Sequence, residues 1–311
     1  MPTRTLSATF LLMLLAVACP SAMAWSVPGH MVSAAIAYEE LRLKDPRLAH
    51  RIVELMSQHP DRAPFAVAIN GASDEARTRR IFMEMARWPD DVRGGAYDHP
   101  TWHYASRPIV DPRHPPAAAP PDVITGSAIE AFALNASVAS DAHAPAAERA
   151  IALCWIFHLV GDIHQPLHAA DQFSSAYPDG DRGGNREHVL DPQTQQPVTL
   201  HGYWDNAVSR SGEVEVVLAR ANELRAKFPR ERFSGLASPK NAANDFTAWA
   251  RESYALARSQ AYRDDLSASA TQEKAPALSA AYIADSTNVA EQRLTLAGYR
   301  LADLLVVLLR E

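Results

Sequence analysis

Apolar residues recur three and four positions apart along most of the chain. "MVSAAIAYEELRL" (31–43), "HRIVELMSQ" (50–58) and "ARTRRIFMEMARW" (76–88) carry this period in the first third. "GSAIEAFALNASVA" (126–139) and "AAERAIALCWIFHLVGDIH" (146–164) carry it in the middle. "EVEVVLARANELRAKF" (213–228), "FTAWARESYALARSQA" (246–261) and "TNVAEQRLTLAGYRLADLLVVLLRE" (287–311) carry it towards the end. These segments are rich in Ala, Leu, Glu and Arg, which lose little freedom in a helix. Period and propensity agree, so each segment is predicted to be a helix. No set of alternating strand segments competes. The expected fold is all-α, a single mainly helical domain with long loops.

Two stretches break the pattern. "DPRHPPAAAPPD", Asp111 to Asp122, is too proline-rich for a helix and must be a loop. "FSSAYPDGDRGGNREHVLDPQTQQPVTLHGYWDN", Phe173 to Asn206, reads as an extended loop excursion with room for a short hairpin. A loop this long inside a compact domain is usually functional or disordered. No internal repeat stands out, and the apolar run "LADLLVVLL" is too short to span a bilayer.

The N-terminus follows a different rule. "MPTRTLS" carries one arginine and no acid, "ATFLLMLLAVA" is apolar, and Ala22-Met23-Ala24 is an A-x-A cleavage signal. Residues 1–24 therefore read as a secretory signal peptide, which makes Trp25 the first mature residue and 25–311 a single mature domain. A secreted or periplasmic protein is expected. A competing reading takes "LAVAC" as a loose lipobox ending at Cys19. After cleavage at Ala24 the one remaining cysteine is Cys154, which cannot form an internal disulfide and sits in an apolar run. Such a domain must be held by its core or by metals. Asn135 opens an N-A-S glycosylation sequon.

Composition narrows the function. The chain has 311 residues, 47% of them hydrophobic and 21% charged, which suffices for one large domain. A net charge of -6 and the lack of a basic tail give no support for a duplex binder. They leave room for an enzyme that meets phosphates through metal ions, which bring their own positive charge.

Candidate ligands are concentrated in "HLVGDIHQPLH", His158 to His168, in a chain with 12 histidines. His158 and Asp162 are four apart on a predicted helix and share one face, so both can reach one ion. His168 lies beyond Pro166, which ends or bends that helix. "WPDDVR" adds Asp90 and Asp91, "WHYAS" adds His103, and "LHGYWDN" adds His201 and Asp205, again four apart. "WSVPGH" places His30 near the mature N-terminus. Any one of these suits a capped helix or a packed histidine, but together they argue for one cluster. Mixed His and Asp ligands suit zinc. Their number exceeds the needs of one tetrahedral ion, so a multinuclear site is expected. Such sites favour in-line phosphoester hydrolysis, because the ions activate water and neutralise the leaving oxygen.

With those motifs in order, the sequence closely resembles the S1/P1 nuclease family, with the zinc phospholipases C as more distant kin. "WSVPGH", "WPDDVR", "WHYA", "HLVGDIHQPLH", "GDRGGN" and "LHGYWD" carry the resemblance from Trp25 to Asp205. It implies the family's helical fold and three zinc ions. One ion would take the free α-amine and carbonyl of Trp25, with His30 and Asp162. Asp162 would bridge to a second ion held by Asp90, His103 and His158. His168, His201 and Asp205 would hold the third. Arg93 matches the family arginine near the phosphate, Tyr104 a base-stacking aromatic, and Asn185 a residue beside the site. Ser106 stands where fungal members read the base with an aspartate, which puts any carried-over base preference in doubt. The implied substrates are single-stranded DNA, RNA and 3'-nucleotides, with products ending in 5'-phosphate, and the implied chain is a monomer. His99, His114, His164 and His188 fall outside the ligand set, with His164 expected to pack or hold a neighbour. Two rivals remain: a zinc phospholipase C, and a zinc-stabilised secreted binding protein without catalysis.

Overall fold

The computed structural model describes residues 25–67, 74–233, 236 and 242–310. The signal-peptide reading of residues 1–24 lies outside the described residues. Helices dominate: α1 (Val27–Lys44), α2 (Pro46–Met56), α3 (Ala63–Val67), α4 (Asp74–Asp91), α5 (Ala128–Ser140), α6 (Ala146–Asp162), α7 (Leu200–Asp205), α8 (Val214–Lys227), α9 (Ala242–Leu256) and α10 (Ala280–Leu308). Each predicted helical segment is found. The boundaries move most at α1 and α10. Helix α1 opens four residues before Met31, with Pro28 in its first turn, where a missing N–H costs nothing. That places His30 on the helix. Helix α10 opens at Ser279, whose side chain accepts the Tyr282 N–H as an N-cap.

Helix α6 is the axis of the fold. From Ala150 to Asp162 all but Ile151 are buried, as expected of a helix that is apolar all round. It packs against α4, α5, α2, α10 and α1. One apolar core surrounds it and includes Phe82, Trp88, Phe132, Trp155 and Phe246. A second joins α1 to α7, α8 and α10 through Trp25, Met31, Trp204, Tyr282 and Tyr299. His30, on α1, stacks on His158, on α6, so the ligand-bearing faces meet at the seam between the two cores.

The structure also contains strand pairs that the periodicity did not indicate. β1 (Arg107–Val110) and β2 (Ala170–Phe173) form a parallel pair with Arg107 opposite Ala170. β3 (His188–Leu190) and β4 (Pro197–Thr199) form the short hairpin anticipated in the long excursion. The end of that excursion is not loop. Leu200–Asp205 closes into α7, with Thr199 Oγ1 capping the Gly202 N–H. Asn135 lies buried in α5 with its Nδ2 bonded to the Ala131 carbonyl, so the folded chain does not present the sequon to a transferase. Cys154 is a free, buried thiol, as expected.

Candidate metal centre

Each of the eight candidate side-chain ligands is buried, with a relative exposure of 7% or less. They form three groups whose ligand atoms lie within 4.8 Å of one another: His30, Asp90 and His158; His103, His158 and Asp162; His168, His201 and Asp205. His158 belongs to two of them, so the first two are one continuous patch. The Asp162 carboxylate faces both ways. Its Oδ1 is 3.1 Å from His30 Nε2, and its Oδ2 is 3.1 Å from both His103 Nδ1 and His158 Nε2. Asp90 Oδ1 lies 3.7 Å from His158 Nε2 and 4.0 Å from His103 Nδ1. Zinc holds such ligands at about 2.0–2.2 Å, so two ligands on one tetrahedral ion sit roughly 3.3–3.6 Å apart. The observed spacings bracket that value.

Backbone carbonyls orient the imidazoles. His158 Nδ1 bonds to the Ala86 carbonyl at 2.8 Å, His168 Nδ1 to that of His103 at 2.7 Å, and His201 Nδ1 to that of Gly183 at 2.7 Å. A carbonyl only accepts, so each Nδ1 carries the proton and a neutral ring leaves Nε2 bare. His168 Nε2 and His201 Nε2 are nevertheless 3.1 Å apart. Nitrogens that close need a proton or a cation between them, and the Asp205 oxygens lie 3.8 and 3.5 Å from the same two atoms. Burial holds the His168 pKa down at about 3, so its ring does not supply the proton. In the first patch, His30 Nε2, Asp162 Oδ1 and Asp90 Oδ2 are buried without hydrogen bonds. Orphaned buried polar atoms are rare, and a metal ion explains these. The residues present therefore fit the metal group implied by their chemistry.

The carboxylates differ in environment. Burial alone would raise the Asp162 pKa, but His158, His103 and His30 around it hold it well below the usual range. Asp205 has one amide donor, Gln165 Nε2 at 2.8 Å, and burial pushes its pKa well up. A cation in the third group would restore the carboxylate.

Gly161 places a bare backbone where the His30 ring lies. A Cβ there would stand 2.7 Å from His30 Nδ1. The "GDRGGN" turn works similarly. Gly183 and Gly184 have φ of 63° and 80°, and a Cβ on Gly183 would meet the Leu167 carbonyl at 2.6 Å. The turn thereby brings the Gly183 carbonyl to His201.

The remaining predicted residues fall around the centre. Trp25 is fully buried, its indole N–H bonded to the Gly161 carbonyl at 2.9 Å, while the Ser26 N–H bonds to the Asp205 carbonyl at 3.1 Å. Arg93 donates to Asp90 Oδ1 through Nε at 2.9 Å and Nη2 at 2.7 Å. Tyr104 is half-buried with its ring over Gly126, and Ser106 is buried and backbone-paired with Thr125. Asn185 Nδ2 bonds to the Arg182 carbonyl, bracing the turn. Asp91 points away and pairs with Arg87.

Several supporting residues were missed. His164 Nδ1 bonds to the Val160 carbonyl and its Nε2 accepts from Arg300 Nη1 at 2.9 Å, so it holds neighbours as anticipated. The arginines were not anticipated. Arg293 donates to the His164 carbonyl, to Ser253 Oγ and to Glu252, and Arg300 also pairs with Glu252. Ser253 in turn donates to the Ile163 carbonyl. This network fixes the bend between Asp162 and His168. The available signal was "EQRLTLAGYR", which places two arginines seven apart on a helix rich in Leu and Ala.

Fold and site define a helical protein with three His/Asp clusters able to hold metal ions, the architecture of a multi-zinc hydrolase. The S1/P1 Nuclease family model matches residues 25–310, and the chain belongs to that family. It has the family's zinc-binding nuclease architecture. None of the curated proteins compared with the chain matches it.

Proposed function

We propose that this chain is an exported endonuclease that hydrolyses single-stranded DNA and RNA to products with 5'-phosphate ends, and that also removes phosphate from 3'-nucleotides. The observation that carries the reading is the convergence of eight buried His and Asp side chains into three groups, with His168 Nε2 and His201 Nε2 only 3.1 Å apart beside Asp205. Bound zinc supplies positive charge and water activation for in-line phosphoester hydrolysis. Asp162 links the first two clusters through its separate oxygens, as one carboxylate serving two ions would. We assign Asp90, His103 and His158, with Asp162, to one ion, His30 and the Trp25 backbone, with Asp162, to a second, and His168, His201 and Asp205 to the third; the side-chain distances, which also bring Asp90 beside His30 and His158, make the first two one continuous patch.

Arg93 is assigned to the substrate phosphate. Its guanidinium, now on Asp90, has donors to spare for charge building on the equatorial oxygens. Tyr104 stacks a base, with Ser106 and Asn185 beside the substrate. Single strands are preferred because an unstacked base can reach an aromatic ring. Cleavage after Ala24 is part of the proposal, and the family match beginning at Trp25 supports it. Among the described residues no helix is long and apolar enough to cross a membrane.

Native mass spectrometry of the protein exported by its natural route tests the reading. Residues 25–311 carrying three zincs, with turnover of single-stranded DNA and RNA and none of phosphatidylcholine, is the expected result. An active three-zinc chain retaining residues before Trp25 would refute the terminal-amine ligand. Phosphatidylcholine turnover without nucleic-acid turnover would make the protein a phospholipase C. A chain with three zincs and no turnover would be a binding protein.

A further inference from the structure

A pocket lies one strand away from the metal centre. It is lined by Ala105 and Arg107 from β1 and its approach, Ile124 and Ile129 from around the start of α5, and Thr247, Ala250 and Arg251 of α9. It is a shallow surface pocket of about 60 Å³, open to solvent. The link to the centre is direct. Ala105 donates its N–H to the carbonyl of the metal-ligand candidate His168, and Arg107 lies opposite Ala170 in the β1–β2 ladder.

Two arginines flank the pocket. The chain carries 36 Asp and Glu side chains, and most of its arginines near the surface are engaged with them. Among the described residues, neither the Arg107 nor the Arg251 guanidinium has a hydrogen bond, ion pair or ring contact. Two uncompensated cations thus flank one pocket in a protein of net charge -6. Its walls are apolar, and Ile124 and neighbouring Val123 are 44% and 54% exposed. Paired guanidinium groups suit an anion such as a phosphate. A guanidinium plane and an apolar wall suit the face of an unstacked base. A site combining both fits a nucleotide better than a free phosphate or an acidic peptide.

We infer that the Arg107–Arg251 pocket is a substrate subsite that takes a nucleotide of the single strand beyond the linkage being cleaved. This rests on the nuclease reading above, and it extends that reading from one scissile linkage to a bound strand. The two arginines hold the neighbouring phosphate, and Ile124 and Ile129 cover the base. A longer strand covers more of the surface beside the metal centre than a dinucleotide does, and so makes more use of this subsite.

The test compares the zinc-loaded protein with the R107A/R251A variant on a thymidine dinucleotide and a ten-nucleotide oligothymidylate. The ratio of kcat/KM for the longer strand to that for the dinucleotide is expected to fall on the order of ten-fold, since two solvent-exposed phosphate contacts are lost. The slope of log KM for the ten-mer against log salt is expected to flatten by about 0.7, the value for one phosphate contact on a single strand. Should the double variant unfold, R251E alone, at an exposed position, is expected to lower the same ratio several-fold. An unchanged ratio and salt slope in a folded variant overturn the subsite and leave the nuclease reading intact. Wild-type protein that cleaves neither substrate overturns the nuclease reading itself. If the variant keeps its ratio but loses binding to phosphatidylglycerol vesicles, the pocket faces a lipid surface and the inference is wrong.

Discussion

Gly161→Ala isolates the geometry of the first cluster in a single methyl group. The added Cβ would sit 2.7 Å from His30 Nδ1 and 2.9 Å from its Cε1, while ordinary contact begins at 3.4 Å. The ring must therefore retreat by about 0.7 Å, because the backbone of α6 is fixed by the packing around it. It has no free direction. It stacks on His158 at 3.9 Å between ring centroids, it is fully buried, and its Nε2 is 3.1 Å from Asp162 Oδ1. A misplacement near 1 Å in such a site costs on the order of 100-fold in rate, and disturbed ligand support costs about 10–100-fold in metal affinity. Zinc per chain after dialysis is expected to fall from three towards two, and kcat/KM on single-stranded DNA by about 100-fold. Gly298→Ala is the control. Its Cβ would meet Ile36 Cβ and Cγ2 at 2.7 Å and the Ser33 carbonyl at 2.8 Å where α10 crosses α1, a clash of the same size that touches no candidate ligand side chain. It is expected to cost about 1–3 kcal/mol of stability with zinc content unchanged. Three tightly held zincs and full activity in Gly161→Ala would refute the argument, as would equal zinc loss in both variants.

Asp162→Asn is expected to be the most damaging conservative change at the centre, removing at least one zinc and on the order of 100-fold or more in activity, read by metal analysis and turnover. Wild-type zinc content and activity would sink the bridging role. Arg293→Lys cannot reproduce donation to His164, Ser253 and Glu252 together. It is expected to cost about 2 kcal/mol in urea unfolding, discounted because the Glu252 side chain stays 41% exposed. A shift below a few tenths of a kcal/mol would show that the bend carrying His168 does not depend on the network. Without metal, His30, His103, His164 and His168 all have pKa values below the ordinary 6.5, chiefly through burial, with His168 at about 3. His158 works the other way, its pKa raised against burial by Asp162 and Asp90, but with these four histidines lowered against one raised the unfolded chain binds more protons below 6.5. The stability these groups contribute is complete above that pH and is lost as pH falls towards 3, by up to about 1.4 kcal/mol per pH unit for each group. Denaturant midpoints of the chelated protein between pH 7.5 and 5 measure this, and a flat profile would contradict the assignment.

The helices were legible because the chain repeats one physical signal, an apolar stripe of period near 3.6 on good helix formers. The eight candidate side-chain ligands stood out in the sequence because aspartate and histidine are costly to bury and contrast with such a pattern. Less was legible where a few residues depend on distant partners. β1 spans Arg107–Val110 and acquires its conformation from a partner 63 positions along, with Pro108 arguing locally against a strand. α7 is six residues long and lies within a run of Gln, Pro and Gly that reads as loop, so its existence depends on the Thr199 cap and on Trp204 entering the core. Arg293 and Arg300 resemble ordinary surface residues of a helix until tertiary packing covers them. Gly161 carries no signal alone, because the need for a bare Cα arises from His30, 131 positions earlier.

His30, Asp90, His103, His158, Asp162, His168, His201 and Asp205 come from well-separated parts of the chain, yet their ligand atoms converge in three groups. Ions bound there would act as cross-links, tying residue 30 to 162, 162 to 90, 103 and 158, and 168 to 201 and 205. In the denatured ensemble each such tie removes loop-closure entropy, much as a cystine does. The sole cysteine among the described residues is an unpaired, buried thiol. A reducing agent should therefore leave the folded protein's resistance to proteolysis unchanged, while a chelator strong enough to strip the centre should expose it to cleavage.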